Sequence, residues 1–174
     1  ADATGTGNPG LAIAAAINDV DLDVTAWLGG AALTLEASAV NVTATMDADN
    51  TFKAEATSGA GASGVGVAGA LAINSVATSV GAFVDSGAAI DLNTGTLNLT
   101  ATSTTKSVAD AKPKEDGVTG KSLGLGASVA MNLVENLTEA TIQTNANVND
   151  AADVNLAATG DHTLETEATM SASG

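Results

Sequence analysis

The fold is decided by Leu11-Ala-Ile-Ala-Ala-Ala-Ile-Asn18, an alanine-rich stretch that returns twice along the chain. The second copy reads Val67-Ala-Gly-Ala-Leu-Ala-Ile-Asn74, and the third reads Leu125-Gly-Ala-Ser-Val-Ala-Met-Asn132. Each copy ends on an asparagine, and successive copies are about 57 residues apart. Self-similarity at a fixed period is the signature of a repeat architecture, so the repeat is a stronger indication of the fold than any single motif.

A second set of matches follows the first at a similar period. It comprises Val40-Asn-Val-Thr-Ala-Thr45, Leu97-Asn-Leu-Thr-Ala-Thr102 and Val154-Asn-Leu-Ala-Ala-Thr159. The pairs Trp27-Leu28, Phe83-Val84 and Thr141-Ile142 also align, as do Phe52, Val108 and Leu164. We therefore divide the chain into one continuous array of three repeats, residues 1–57, 58–114 and 115–174.

Within each repeat, apolar and polar residues alternate with a period of two, which is the pattern of a β-strand with one buried face. Val40, Val42 and Ala44, for example, alternate with asparagine and threonine. Turn-forming residues such as Gly29-Gly30 and the segment 47–50 divide the chain into short strands. We expect alanine, valine and leucine to face inward, and threonine, asparagine and aspartate to face water.

Stacked repeats bury their apolar faces against one another. The pattern therefore predicts an all-β fold, a β-solenoid (parallel β-helix) built from three repeats of about 57 residues. Each repeat would hold three rungs of about 19 residues, or two larger rungs. The alternative is a row of antiparallel β-sandwich or meander repeats. Helices over 11–17 and 67–73 are a further alternative, because alanine is the best helix former, but nearby glycines disfavour them.

The composition excludes several classes of protein. The 174 residues carry a formal net charge of -15, so nucleic acid is not an expected partner. Hydrophobic residues make up 45% of the chain but aromatic residues only 2%, which indicates a thin core filled by small side chains. There is no cysteine for a disulfide scaffold. The longest apolar run, residues 65–73, is too short to insert across a membrane.

The chain also lacks the residue types that most catalytic sites need. It has no cysteine nucleophile, and its only histidine, His162, aligns with Lys106 and is expected to face outward. Two glycine-rich stretches, 5–10 and 59–64, match a dinucleotide fingerprint, but each precedes a strand-like run instead of the helix that such a site requires. We therefore expect that the chain is not an enzyme and holds no organic cofactor.

The recurring run Gly64-Val-Gly-Val-Ala-Gly-Ala-Leu-Ala-Ile-Asn74, followed by the strand Leu97–Thr102, resembles the repeats of giant bacterial exoproteins. These are the filamentous-haemagglutinin-like and leukotoxin-like β-helical surface adhesins, and the resemblance covers the whole chain. It implies a rod that is extracellular or on the bacterial cell surface, and that presents adhesive regions or builds a filament. Expected partners are neighbouring repeats or identical subunits end to end, and a host or cell-surface ligand.

Oxygen-rich turns in extracellular proteins can bind calcium, and two groups of aspartates are candidates for this role. The candidate metal ligands are Asp19, Asp21, Asp23, Asp47 and Asp49. Outward threonines at Thr43-Ala-Thr45 and Thr100-Ala-Thr102 resemble the ladders of ice-binding proteins. The predicted function is a non-catalytic structural or adhesive repeat segment of a large surface protein or filament. The alternative is a calcium-, glycan- or ice-binding β-solenoid module.

Overall fold

The protein is all-β in the computed structural model, which describes residues 1–30, 34–47, 50–62, 64–114, 119–120 and 123–173. No helix is present in these ranges. The strands are β1 (Asp2–Gly7), β2 (Gly10–Leu28), β3 (Thr34–Glu36), β4 (Ala39–Met46), β5 (Thr51–Ala62), β6 (Val65–Val84), β7 (Ala89–Pro113), β8 (Thr119–Gly120), β9 (Leu123–Ile142), β10 (Asn147–Ala168) and β11 (Ser171–Ser173).

The described strands form two sheets. Sheet I has the order β1-β5-β7-β10, with β3 and β4 also paired to β7, and β8 paired to β5. Sheet II has the order β11-β9-β6-β2. Every pairing is parallel except that of β11 with β9, which is antiparallel. The prediction of an all-β chain with parallel strands is therefore confirmed, and both the antiparallel and the helical alternatives are wrong.

The chain passes once through sheet II and once through sheet I before it returns beside its starting point. We call each such passage a circuit: residues 10–62, 65–113 and 123–168. The prediction of two or three rungs in each repeat is wrong, because β6 and β7 alone, of 20 and 25 residues, make up one circuit. The turn formers at 47–50 separate β4 from β5, yet both strands pair with β7 in the same sheet.

Equivalent residues of successive circuits lie side by side. Asn74 lies between Asn18 and Asn132, at sequence separations of 56 and 58 residues. Trp27, Phe83 and Thr141 are neighbours in the same way. In sheet I, Asn98 lies between Asn41 and Asn155, each 57 residues away. In both asparagine sets, the same residue recurs at one place in successive circuits.

The predicted match of Phe52, Val108 and Leu164 is wrong by one residue. Ser107 lies beside Phe52 and Leu164, and Val108 faces the opposite side of β7. The cause is a local difference in length. Four residues, 47–50, lie between Met46 and Thr51, whereas two residues, 104 and 105, lie between their partners in β7. The register between β5 and β7 is therefore shifted relative to that between β4 and β7.

Sheet I contains residues with left-handed backbone angles in the second and third circuits. Asn93 and Thr94 have φ values of 46° and 67°, and Asp150 in the third circuit has a φ of 49°. The Asn93 amide donates a hydrogen bond to Asp91 Oδ1 at 3.2 Å. A Cβ atom at Gly95 would overlap the carbonyl of Ser38, so the close approach of the first circuit requires glycine there.

The core between the two sheets tapers along the strands. At the narrow end, Ser58 Oγ donates to the Ala12 carbonyl of the opposite sheet at 3.1 Å. Farther along, Asn74 Nδ2 donates to the Phe52 carbonyl across the core at 3.1 Å. Buried alanines line the narrow part, whereas the wide part is filled by larger side chains, among them Val80, Val84, Ile90, Leu92, Leu97 and Leu99. Because interiors are close-packed, side-chain size sets the local distance between the sheets.

Adjacent residues of β7 provide a test of this inward and outward assignment. Leu99 is fully buried, so Leu99→Ala should lower the free energy of unfolding by about 2–5 kcal/mol through the cavity it leaves. Thr100 faces outward, and the third circuit already carries Ala157 beside it. Thr100→Ala should therefore cost less than about 1 kcal/mol. Urea unfolding of the two variants measures the difference, and equal losses would contradict the assignment.

Candidate binding surfaces on the two outer faces

The aspartates predicted to bind calcium lie in two different settings. Asp19, Asp21 and Asp23 are in the middle of β2, not in a turn, and they project from the outer face of sheet II. Asp47 follows β4, and its carbonyl accepts a hydrogen bond from Asn50 Nδ2 at 2.6 Å. Asp49 lies outside the described residues. Across the described ranges, no three histidine, cysteine, aspartate or glutamate side chains are grouped so that they could hold a metal ion.

His162 does not face outward as predicted. β10 places it beside Thr105 rather than Lys106, and Thr105 lines the space between the sheets. The hydroxyl of Thr105 and Nδ1 of His162 are 2.8 Å apart. The sequence separation between paired residues of β7 and β10 is one residue longer than the predicted alignment assumed. A shift of one residue moves a side chain to the other face of a strand.

A row of asparagines crosses the core, although the alternation of the sequence predicted that apolar side chains alone would lie there. Asn18 Nδ2 donates to Asn74 Oδ1 at 2.7 Å, and Asn74 Nδ2 is 3.2 Å from Asn132 Oδ1. Asn74 Nδ2 also donates to Ser107 Oγ in the opposite sheet at 2.7 Å, and Ser107 Oγ donates to Asn132 Oδ1 at 2.7 Å. This inner asparagine ladder joins the three circuits to each other and sheet II to sheet I.

The outer face of sheet I is polar and ordered. Asn98 Nδ2 donates to Asn41 Oδ1 at 2.8 Å, and Asn155 Nδ2 donates to Asn98 Oδ1 at 3.0 Å, which makes an outer asparagine ladder. One row of threonines beside it is continuous: Thr45, Thr102 and Thr159. The adjacent row, which begins with Thr43 and Thr100, is interrupted by Ala157.

Farther along the same face, lysines are interleaved with carboxylates. Lys53 and Lys112 lie 2.7 and 3.0 Å from the carboxylate of Glu55, and Lys112 lies 2.7 Å from Asp110. Hydrogen bonds and charge from Lys53, and then from Lys112, lower the pKa of Glu55 from 4.5 to about 2. The hydrogen bonds that Lys112 Nζ donates to Asp110 and Glu55 raise the pKa of Lys112. Ion pairs within sheet I thus neutralise much of the charge on its outer face.

The outer face of sheet II is apolar over the first half of its strands. Leu11, Ile13 and Ile17 project from β2 and are 64%, 70% and 71% exposed. The neighbouring strands add exposed residues of the same kind: Val65, Val67, Leu123, Leu125, Val129, Met131 and Leu133. We call this set the apolar face. A contiguous apolar patch of a few hundred Å² is often functional in a soluble protein.

The prediction that leucine faces inward is therefore wrong for Leu11 in β2, whereas the prediction that aspartate faces outward is confirmed there. The same face of the strand carries Leu11, Ile13 and Ile17 and then Asp19 and Asp21, because all have odd numbers on one continuous strand. Alanines 12, 14 and 16 occupy the inner face, where the core is too narrow for leucine. The unbroken alternation through the aspartates was the signal in the sequence that could have revealed the apolar face.

Carboxylates border the apolar face on the same strands. We call Asp19, Asp21, Asp23, Glu135 and Glu139 the acidic border. None of the five forms an ion pair within the described part of the chain. The described lysines all lie on or next to sheet I. Sheet II therefore presents apolar side chains together with carboxylates that have no ion-pair partner among the described residues, in contrast to sheet I.

The two asparagine ladders differ in burial, and their central residues provide a matched pair for mutation. Asn74→Ala should lower the free energy of unfolding by on the order of 2–3 kcal/mol, because it leaves Asn18 Nδ2 without its acceptor and removes the hydrogen bonds from Asn74 Nδ2 to Ser107 Oγ and to the Phe52 carbonyl. Asn98→Ala should cost less than about 1 kcal/mol, because water replaces the lost bonds on the outer face. Denaturant unfolding compares them, and an equal cost would contradict the structural role of the inner ladder.

Glu55→Gln should destabilise the protein by less than about 1 kcal/mol at pH 7, since the ion pairs are exposed to solvent. The pKa of Glu55 is lowered on folding, so its contribution is present above the unfolded pKa and is lost as the pH falls from about 4.5 to about 2. Thermal melts of wild type and variant should converge across this window and in high salt. Glu167→Gln, on the same face, is the control; a difference that persists at pH 2 would contradict the assignment.

Comparison of the chain with models of known protein families finds no match, and neither the curated proteins nor the solved structures give a significant match. The described residues include no membrane-spanning helix.

Proposed function

We propose that this chain is a non-catalytic structural or adhesive segment of a large bacterial extracellular or cell-surface protein, folded as a β-solenoid. The support is the register of the circuits, in which the same residue types stack on each other through both sheets. Each circuit depends on its neighbours for backbone hydrogen bonds and core contacts, which is the behaviour of a one-dimensional array. Such an array is suited to bearing load or to displaying a repeated surface.

The single observation that carries the proposal is the open edge at β10. Leu156 lies in register with Leu99 and belongs to the same inner row, yet it is 46% exposed, whereas Leu99 is 0% exposed. Val154 and Leu164 are likewise exposed at inner positions. A further circuit stacked on β10 would bury these side chains and pair the strand's free N–H and C=O groups. The added circuit would be a neighbouring repeat or an identical subunit, joined end to end.

The net charge of -15 supports thin arrays over lateral bundles. Like charge on the sides of neighbouring rods opposes lateral contact, whereas the ends offer apolar side chains and strand pairing. The outer face of sheet I, with its amide and hydroxyl rows, supplies a regular polar surface for a cell-surface ligand.

The second candidate is a calcium-, glycan- or ice-binding solenoid module. The continuous row of Thr45, Thr102 and Thr159 is the observation that favours it, because evenly spaced hydroxyls can match a regular lattice or a glycan. This threonine row has no complete threonine row beside it. Ala157 interrupts the row on one side, and Asp161 interrupts the row on the other side. This surface would act without any association of the ends.

A charged residue introduced at an inward-facing position of β10 tests the proposal of end-to-end assembly. The wild-type chain should form axial oligomers in a concentration series followed by sedimentation velocity and electron microscopy. Leu156→Lys should abolish them, because a lysine directed into the next circuit cannot be buried there. Asn155→Lys, one residue away on the outer face, is the matched control and should still assemble.

A wild-type chain that is folded and monomeric throughout the series contradicts end-to-end assembly. Equal loss of assembly in both lysine variants would show that added positive charge, and not the open edge, controls association. Monomeric protein that also produces thermal hysteresis in ice-growth measurements, lost in Thr102→Val, would favour the second candidate.

A further inference from the structure

We infer that the apolar face of sheet II is a docking site for a cationic amphipathic helix of a partner polypeptide. This goes beyond end-to-end assembly, because the face lies on the side of the array and leaves the edge strands free. Three properties of the apolar face support this docking site: its composition, its size and the charge of its border.

The face is not explained by the core of the chain itself. Its side chains point away from sheet I, and Ile13 and Ile17 are more than two thirds exposed. The large residues project outward while alanines occupy the inner face of the same strand. A strand that needed only to fold could carry polar residues at these outer positions, as β7 does with Thr100 and Thr102.

The size of the face matches one helix better than a second copy of the chain. Three strands at about 4.8 Å spacing, with their side chains, give a width of about 14 Å. The apolar stretch of β6 is about 26 Å long, so the footprint is on the order of 350–400 Å². A stable dimer needs roughly 800 Å² from each partner. A helix is about 10–12 Å across, and about 17 residues span 26 Å.

The charge of the border identifies the partner as cationic. Asp19, Asp21 and Asp23 continue the line of Leu11 and Ile17 on β2, so a ligand that lies along the strands meets apolar side chains first and carboxylates next. The described carboxylates here have no lysine partner. A partner with lysine or arginine at this end supplies the missing charge. The positive N-terminal end of its helix dipole adds to the attraction.

The same border disfavours the other occupants. An anionic lipid surface would be repelled by the acidic border and by the net charge of -15. A second copy placed with its strands in the same direction would set the two acidic borders against each other. Only an offset, antiparallel copy avoids this, and it would cover no more than the small footprint of the apolar face.

The test uses the full chain and a synthetic helical peptide of about 24 residues, with leucine on one face and lysine concentrated in its first two turns. Binding is followed by fluorescence anisotropy of the labelled peptide. A peptide with glutamate in place of lysine should not bind.

Paired variants locate the site. Ile13→Thr with Ile17→Thr should weaken binding roughly tenfold, because two apolar contacts are lost. Asp21→Asn with Asp23→Asn should weaken it about fivefold at low salt and reduce its salt dependence. Val108→Thr and Glu167→Gln make the same kinds of change on the outer face of sheet I and should leave affinity unchanged.

Affinity that is unaffected by the sheet II variants, or reduced equally by the sheet I variants, overturns the inference. Dimerisation that Ile13→Thr with Ile17→Thr abolishes would assign the face to a second copy instead. Flotation with phosphatidylcholine vesicles that the same double variant abolishes would assign it to lipid. Loss of end-to-end assembly in Leu156→Lys with intact peptide binding separates this inference from the proposed function.

Discussion

Parallel, in-register pairing of each circuit with the next is the constraint on which the rest of the structure depends. In a parallel pair, the backbone hydrogen bonds of a strand are made to strands one circuit away. Each residue therefore lies between its equivalents, and the residue type at one position has to be compatible with itself. Asparagine satisfies this condition by donating to one neighbour and accepting from the other, as Asn98 does between Asn41 and Asn155.

The separation of the two sheets is the second constraint, and it follows from side-chain size. Ser58 reaches across to Ala12 at the narrow end, asparagine spans the middle, and leucine and valine fill the wide end. Where the sheets are close, only alanine, glycine and serine fit between them. Large apolar residues in that part of the chain are consequently on the outside, which produces the apolar face.

The outer faces of sheet I and sheet II differ in polarity and in the pairing of their charged side chains. Sheet I carries amide and hydroxyl rows and pairs its lysines with nearby carboxylates such as Glu55 and Asp110. Sheet II combines exposed Leu11 and Ile13 with aspartates that have no such partners in the described residues. Sheet I therefore satisfies most of the polar and charged groups on its outer face, whereas sheet II leaves its described carboxylates without ion-pair partners.

The sequence by itself determined the strand content, the spacing of the repeat and the inward position of Val40 and Leu97, because period-two alternation and self-similarity are properties of the residues alone. It also contained the alternation that places Ile17 and Asp19 on the same face of β2, although residues 11–17 are apolar on both faces of the strand. Only the tertiary structure decided that one repeat makes one circuit, that Asn74 lies in the core and that Ile13 lies outside it. Those outcomes depend on the distance between two sheets and on the direction in which bends turn the chain, and neither is a local property of the sequence.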